Sequence, residues 1–485
     1  MENHHPDSHS AAQPAGGKLS ADTTMTLAVL VLGAMIMLLN ETSLSVALPA
    51  IMADFGIPAT TAQWMTTGFM LTMAVVIPTT GFLLERLTTR QIFLTGTVLF
   101  LAGTIIAALA PVFPLLLSGR IVQAAGTALM MPLLMTVTMT LVPPQRRGAV
   151  MGVISIVISV APALGPTVGG FILNSLTWHY NFWLMVPLLL LVIVFGLFKL
   201  PNVGESRTIP LDVPSVILSV LGFGGLVYGL SSINAMLSGE GTTESIITVV
   251  GVIALVAFIL RQRSLAAENR ALMDLRPFGV RNYTLSVVLM LLAFGLMLGT
   301  VTVLPIYLQT SLAVTAAITG LVVMPGGLLQ GLISPFIGRL YDYYGPRPLL
   351  IPGVVLMAAS MWAFSMLGED SAVWVVIAIH VVMSLGMGLL MTPLMTTALG
   401  SLPGDLYGHG SAIMNTFQQL AGAAGTAILV VFLTRGTESA VAAGQSVPAA
   451  TAHGVHWAFL FAGVAVLVAV VMSPLIKRVD AAPAH

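Results

Sequence analysis

Apolar runs of about twenty residues recur along the whole chain, and that is the length a helix needs to cross a bilayer. Read between charges, Gly/Pro turns and polar clusters, they number fourteen. They cover 25–49, 60–84, 91–110, 113–140, 147–173, 178–198, 212–234, 245–262, 282–308, 316–340, 347–366, 372–400, 408–434 and 454–476. The expected fold class is therefore an all-α polytopic membrane protein with fourteen transmembrane helices. Composition agrees: 57% of the 485 residues are hydrophobic and 7% are charged, against about 25% charged in soluble domains. Mean hydropathy is +0.99. An ordinary cytoplasmic enzyme, a nucleic-acid binder and a disordered scaffold are excluded. The 47 Gly and 28 Pro are better tolerated in membrane helices than in soluble ones. Cysteine is absent, which removes disulfides, thiolate metal sites and a cysteine nucleophile. The net charge of zero says nothing about partners.

Lys and Arg orient the spans, because short cytoplasmic loops carry an excess of both. With the N-terminus inside, sixteen of the eighteen Lys/Arg fall in cytoplasmic segments or at their edges, from Lys18 to Arg478. Arg435 falls outside, in a loop over 435–453, and Arg120 falls within a span. Both termini are expected in the cytoplasm. The first 24 residues are polar and lack the basic start and apolar core of a cleavable signal. They read as a disordered tail. His4, His5 and His9 lack the further ligand that would complete a metal site, so no metal is expected.

The two ends of the chain resemble each other. GTALMMPLLMTVTMTLVP (126–143) matches GMGLLMTPLMTTALGSLP (386–403) at an offset of 260, which also places Gly148 on Gly408. Pro78 and Gly81 fall on Pro335 and Gly338 at an offset of 257. Such repeats build secondary transporters, with the substrate site between the halves near the midplane. The expected organisation is a tail (1–24), a six-helix bundle (25–198), a two-helix hairpin with cytoplasmic linkers (199–281), a second six-helix bundle (282–476) and a tail (477–485).

Of eighteen acidic residues only Glu41 lies inside a span, and of eighteen Lys/Arg only Arg120 does. An intramembrane charge costs about 2.5–3.5 kcal/mol on insertion scales, so it usually faces a cavity or a partner. Counting 1.5 Å per residue puts Glu41 about 12 Å and Arg120 about 10 Å from the outer end of their spans. His380, at Arg120 plus 260, lies about 12 Å deep. Each has a structural alternative: Arg120 locking two helices through carbonyls, Glu41 as a structural acid, His380 as a satisfied core histidine. Asn40 and Glu41 are about 100° apart on a helix, so they face different neighbours. Asn40, Gln123, Asn415, Gln418 and Gln419 are substrate-cavity candidates, although most such residues glue helices together. The 28 Met are mostly flexible fillers, and a Met-lined cavity suits varied ligands.

Several segments resemble the motifs of the fourteen-helix drug:proton antiporters (EmrB/QacA type) of the major facilitator superfamily, over nearly the whole chain. LNETSLSVALP (39–49) is similar to the first-helix signature, with Asn40 at the usual aspartate position and Glu41 beside it. GFLLERLTTR (81–90) resembles the loop after span two, with Gly81, Glu85 in place of Asp, and Arg90. Its second-half copy, GRLYDYYGPR (338–347), fits better, with Gly338, Asp342 and Arg347. LLLSGRIVQAAGTA (115–128) resembles the fourth-span motif, with Ala124 in place of its Gly. GVISIVISVAPALGPTVGG (152–170) resembles the antiporter motif of span five through Gly152, Gly165, Pro166, Gly169 and Gly170. The LNET variant looks most like the branch of lincomycin-exporting LmrB-type proteins.

The resemblance implies a major facilitator fold, alternating access and proton-coupled export of amphipathic drugs or related small molecules. It implies protons and a small-molecule substrate as partners, a bilayer as the site of action, no nucleic acid, and a monomer in a bacterial inner or plasma membrane. The energy source is the proton gradient, with no cofactor. Glu41, Arg120 and His380 become proton-coupling residues. Gly81, Glu85, Arg90, Gly338, Asp342 and Arg347 become an inner gate, or else ordinary solvated loop charges. Glu85 is expected to matter less than Asp342 because its motif is degraded. Gly-rich span five, kinked by Pro166, becomes a gasket against proton leak or a plain packing joint. An exporter of an endogenous lipid or metabolite fits the same machinery, and an uptake symporter fits the fold but not the span-five motif. No G-x-x-x-x-G-K-[ST] loop or H-E-x-x-H set is present, so ATP coupling and a membrane-embedded enzyme are not expected.

Overall fold

The computed structural model describes residues 19–203, 210–237, 239, 241–268 and 270–479. Lys18, Arg207 and the histidines at 4, 5 and 9 lie outside that set, as does the side chain of Pro166. The described residues are almost entirely helical and include no strand. Apolar runs in lipid must satisfy every backbone group internally, which a helix does and an open strand does not.

Fourteen long helices follow in order. They are α1 (Ala21–Phe55), α2 (Trp64–Arg86), α3 (Thr89–Ala108), α4 (Phe113–Leu141), α5 (Arg147–Ser175), α6 (Tyr180–Lys199, interrupted at Leu184), α7 (Val213–Ser231) and α8 (Thr242–Ala266). The second half supplies α9 (Arg281–Thr310), α10 (Ala316–Tyr344), α11 (Arg347–Ser365), α12 (Val373–Gly400), α13 (Tyr407–Ala442) and α14 (Val447–Met472). Thirteen are long and apolar enough to cross a membrane on their described residues. α5, with 29 residues, completes the fourteen.

Short polar side chains set the ends. Ser20 accepts the N–H of Thr23 and starts α1. Thr88 and Gln91 form a reciprocal capping box at α3, satisfying backbone donors that the helix itself leaves free. Gly56 ends α1 at φ 63°, a left-handed conformation that costs glycine little.

Several helices outrun their apolar segments. α1 continues to Phe55, so Glu41 stands near its middle rather than close to its outer end. α13 has 36 residues, about 54 Å, and α14 begins at Val447. The expected loop over 435–453 shrinks to a turn, and Arg435 becomes helical.

The first bundle is α1–α6 and the second is α9–α14. We call the membrane face holding the start of α1 and the end of α14 the base. There Thr26 bonds the carbonyl of Lys199 at 3.3 Å, and Asn282 bonds the main chain of Lys477 at 3.1 Å in both directions. Two seams join the bundles, α5 against α10 and α2 against α13. The hairpin α7–α8 does not stand apart, because α7 packs on both α2 and α13. Its base is closed by Arg261, which holds Asp212 through Nε at 2.7 Å and Nη2 at 2.8 Å.

Candidate functional site

The two ionisable residues singled out in spans one and four are neighbours in the first bundle. Arg120 of α4 is 2% exposed. Its Nη1 donates to Gln123 Oε1 at 2.9 Å and to Asn40 Oδ1 at 3.4 Å. Its guanidinium carbon sits 4.3 Å from the centroid of the Phe69 ring, a contact of about 0.5–2 kcal/mol depending on desolvation. Gln123 Nε2 donates to Thr104 at 2.8 Å and to Asn40 at 3.2 Å. Asn40 Nδ2 donates to the Asn181 carbonyl at 3.1 Å. One guanidinium is thus tied to α1, α3, α4 and the start of α6. Arg120 Nε is buried without a hydrogen-bond partner among the described residues.

Glu41 is half-buried beside this cluster. It makes no hydrogen bond and no ion pair with a described residue, although the Arg120 charge acts on it. The acid and the guanidinium are neighbours rather than a closed salt bridge, because Asn40 and Gln123 occupy the guanidinium. The two residues expected on different faces of α1 do face different ways: Asn40 is fully buried and Glu41 is not.

That geometry corrects the cavity candidates. Asn40 and Gln123 are fully buried, with their polar atoms committed to each other, Arg120, Thr104 and Asn181, so neither is left for a ligand. Asn415 is also buried, donating to the Ser411 carbonyl at 2.8 Å. Gln418 is 9% exposed and touches the Met290 sulfur. Gln419 is half-buried and shows no bond among the described residues. His380 of α12 is 3% exposed, and its Nδ1 has no hydrogen-bond partner among the described residues. Its ring lies against Gly326 of α10 and close to Ser384.

The base is held by cross-bundle bonds. Asp342, at the end of α10, accepts the N–H groups of Gly148 and Ala149 in the first turn of α5 at 2.8 and 2.9 Å. A carboxylate there satisfies orphan donors and meets the positive end of the helix dipole. Gly338 and Gly148 pack so closely that a Cβ on either would overlap the other's backbone. On the other seam Glu85 meets His409 at 3.2 Å. The degraded motif therefore does reach the second bundle. Sequence reasoning missed His409, although the repeat offset that aligns Gly148 with Gly408 pointed to it. Farther in, Ser155 meets Thr392 at 2.8 Å and Ser411 meets Thr136 at 3.1 Å.

Arg90 and Arg347 do otherwise than expected. Arg90 donates to the Leu197 carbonyl, and Arg347 Nε donates to the Ile476 carbonyl at 2.9 Å. Each ties the start of one helix to the end of the last helix of its own bundle, so neither bridges the bundles. They are equivalent positions in the repeat, doing equivalent work. Beside the Asp342 contact a cavity of about 710 Å³ opens at the base, lined by Arg147, Tyr341, Thr396, Tyr407 and Arg478 among others.

The span-five glycines divide by partner. A Cβ on Gly152 would overlap the Ser334 carbonyl of α10, whereas Cβ atoms on Gly165 and Gly169 would overlap Thr42 and Ser43 of α1. Gly170 faces open space. The base half of α5 thus packs across the seam, and its far half packs back on its own bundle.

Two repeated six-helix bundles that meet along two seams, with a guanidinium buried inside the first, have the architecture of a membrane transporter rather than an enzyme. The chain belongs to the Major Facilitator Superfamily, whose profile matches residues 30–426. It is 39% identical over 457 residues to the "Lincomycin resistance protein LmrB" of Bacillus subtilis, covering 93% of this chain and 95% of that one. It is 40% identical over 447 residues to the protein of the same description in Listeria monocytogenes, covering 91% and 94%. Among solved structures, the proton:xylose symporter XylE superposes with a TM-score of 0.65 at 18% identity, covering 95% of this chain and 97% of that one.

Proposed function

We propose that this chain exports amphipathic drugs or related small molecules across a bacterial cytoplasmic membrane, driven by an inward proton gradient. Both termini and the base face the cytoplasm, and the protein works as a monomer. The observation that carries this is Glu41: a carboxylate near the middle of α1, half-buried, without a hydrogen bond among the described residues, and beside a fixed guanidinium. When Glu41 holds a proton the pair bears one positive charge, and when it releases the proton the pair is neutral. Substrate and proton then favour different states of one site, which is the condition for exchange. Kinship with proteins named for lincomycin resistance supports the drug substrate, and the sixteen-to-one charge split supports the orientation.

The cross-bundle bonds at the base act as the inner gate, closed here, with Asp342 and Glu85 as its two carboxylates. Opening to the cytoplasm requires both to release, together with the seam packing around Gly148, Gly152 and Gly338. His380, buried in the second bundle with no partner for Nδ1 among the described residues, is a second proton-binding candidate.

The test uses proteoliposomes, a defined pH gradient and lincomycin as the probe. Uphill movement of lincomycin against the proton flow, lost when the gradient is collapsed, is the expected result. Movement with the protons would make the chain a symporter. No movement of lincomycin or other drugs would favour an endogenous lipid or metabolite.

A further inference from the structure

Glu85, His409 and Asp274 meet at one point on the α2–α13 seam, and each comes from a different part of the chain. His409, in the first turn of α13, is 2% exposed. Its Nε2 lies 3.2 Å from Glu85 Oε1 of α2. Its Nδ1 accepts the backbone N–H of Asp274, in the linker after α8, at 3.3 Å. An accepting Nδ1 leaves the ring proton on Nε2, directed at the carboxylate, so one neutral imidazole satisfies both neighbours.

The linker at this point is inside the protein. Leu272, Met273 and Asp274 are 1%, 1% and 2% exposed. Met273 N–H donates to Gln262 Oε1 of α8 at 3.1 Å, and Gln262 Nε2 donates to Ser215 of α7 at 2.7 Å. Asp274 in turn holds Arg276 through its carboxylate. A buried line of hydrogen bonds therefore runs from the hairpin, through the linker, to His409 and Glu85.

The internal repeat shows what the histidine adds. The offset of 260 places His409 on Ala149. On the α5–α10 seam, Asp342 takes the backbone N–H groups directly and Gly338 touches backbone. On the α2–α13 seam the imidazole fills that space instead: a Cβ on Gly81 would lie 2.6 Å from His409 Nδ1. The ring replaces a two-partner contact by a three-partner one, and the third partner is the linker.

We infer that His409 is a positioning residue of the transport cycle, pinning the linker of the central hairpin to the base seam. The hairpin thereby holds α2 and α13 together in the base-closed state, and the linker must let go of His409 before that seam opens. This rests on the fold and on base closure, not on what is exported or on proton coupling.

The chain has no cysteine, so Leu272→Cys introduces a single buried thiol in the linker. Ala443→Cys, in the exposed turn between α13 and α14, gives a reference thiol on the opposite face. Each is labelled with a water-soluble maleimide in nanodiscs. His409→Ala should speed labelling at 272 about tenfold, the effect of losing one buried hydrogen bond, while labelling at 443 is unchanged. His409→Gln can offer an oxygen to Asp274 N–H and an amide N–H to Glu85, and should restore slow labelling at 272. If His409→Ala does not fold, His409→Phe keeps a planar ring against Gly81 without either bond and should give the same fast labelling. Parental labelling at 272 in His409→Ala or His409→Phe, or equally fast labelling in His409→Gln, overturns the proposal.

Discussion

Asp342 reaches from the second bundle to the N–H of Gly148 at 2.8 Å, so a carboxylate of one half caps the helix that begins the seam of the other. Asp342→Asn removes the negative charge and leaves one oxygen for two N–H groups. The loss should be about 1 kcal/mol, roughly a fivefold shift of population toward the base-open state. Thiol accessibility of cysteines placed around the base cavity measures it, and parental labelling there would make Asp342 a bystander.

Glu41→Gln keeps shape and mimics the protonated acid. It should fold and bind a neutral ligand but no longer drive uphill export. Substrate-induced proton release in proteoliposomes is the measurement, run beside His380→Gln. Full proton flux in Glu41→Gln, with none in His380→Gln, would move the coupling role to the second bundle.

Gln123→Leu strips the bonds to Arg120, Asn40 and Thr104. Buried groups left without partners cost about 1–3 kcal/mol each. Thermal unfolding in detergent should show a clear drop in midpoint. Asn415→Leu, which loses one backbone contact and one sulfur contact, should cost less.

The span-five glycines should separate by partner. Gly165→Ala and Gly169→Ala push a methyl into α1 and should destabilise by about 1–3 kcal/mol, the usual cost of overpacking. Gly170→Ala meets nothing within 4 Å and should be neutral or slightly stabilising, since Ala is the better helix former. Unfolding midpoints of the three variants decide this, and equal losses would refute the division.

Asp212 supplies the pH dependence. Its hydrogen bond with Arg261, against the opposing effect of burial and with help from Ser215, holds the carboxyl well below the usual carboxylate range. A lowered native pKa adds stability that is present above the unfolded value of about 3.9 and is lost as pH falls below it. The hairpin should therefore loosen on acidification through that range, seen as faster exchange of its backbone amides. Asp212→Asn should be weaker at neutral pH and show a flatter acid limb.

Much of this was legible in the chain. Apolar run length gave the helical segments, though not their ends, and the repeat led to the expectation of two six-helix halves with Gly81 and Gly338 at matching positions. Glu41 and Arg120 stood out because charge inside a span is rare. The roles of Asn40 and Gln123 were not legible. A membrane helix apolar on all sides has no amphipathic stripe to show which face meets a neighbour and which meets a cavity. Only packing showed that both amides close around Arg120 while Glu41, next to Asn40 in the chain, makes no hydrogen bond among the described residues.

The sequence by itself determined the helices, because a backbone in lipid has no partner but itself. It also led to the expectation of a six-two-six order and showed which charges are unusual inside apolar runs, but not how deep Glu41 stands, because α1 runs on to Phe55. Tertiary structure alone decided which charges meet. Glu85 and His409 are far apart in the chain, as are Gly148 and Asp342, and no local pattern encodes a contact between helices. Their meeting follows from how glycine faces let α5 approach α10 and α2 approach α13, since close backbone packing brings polar ends within hydrogen-bond reach.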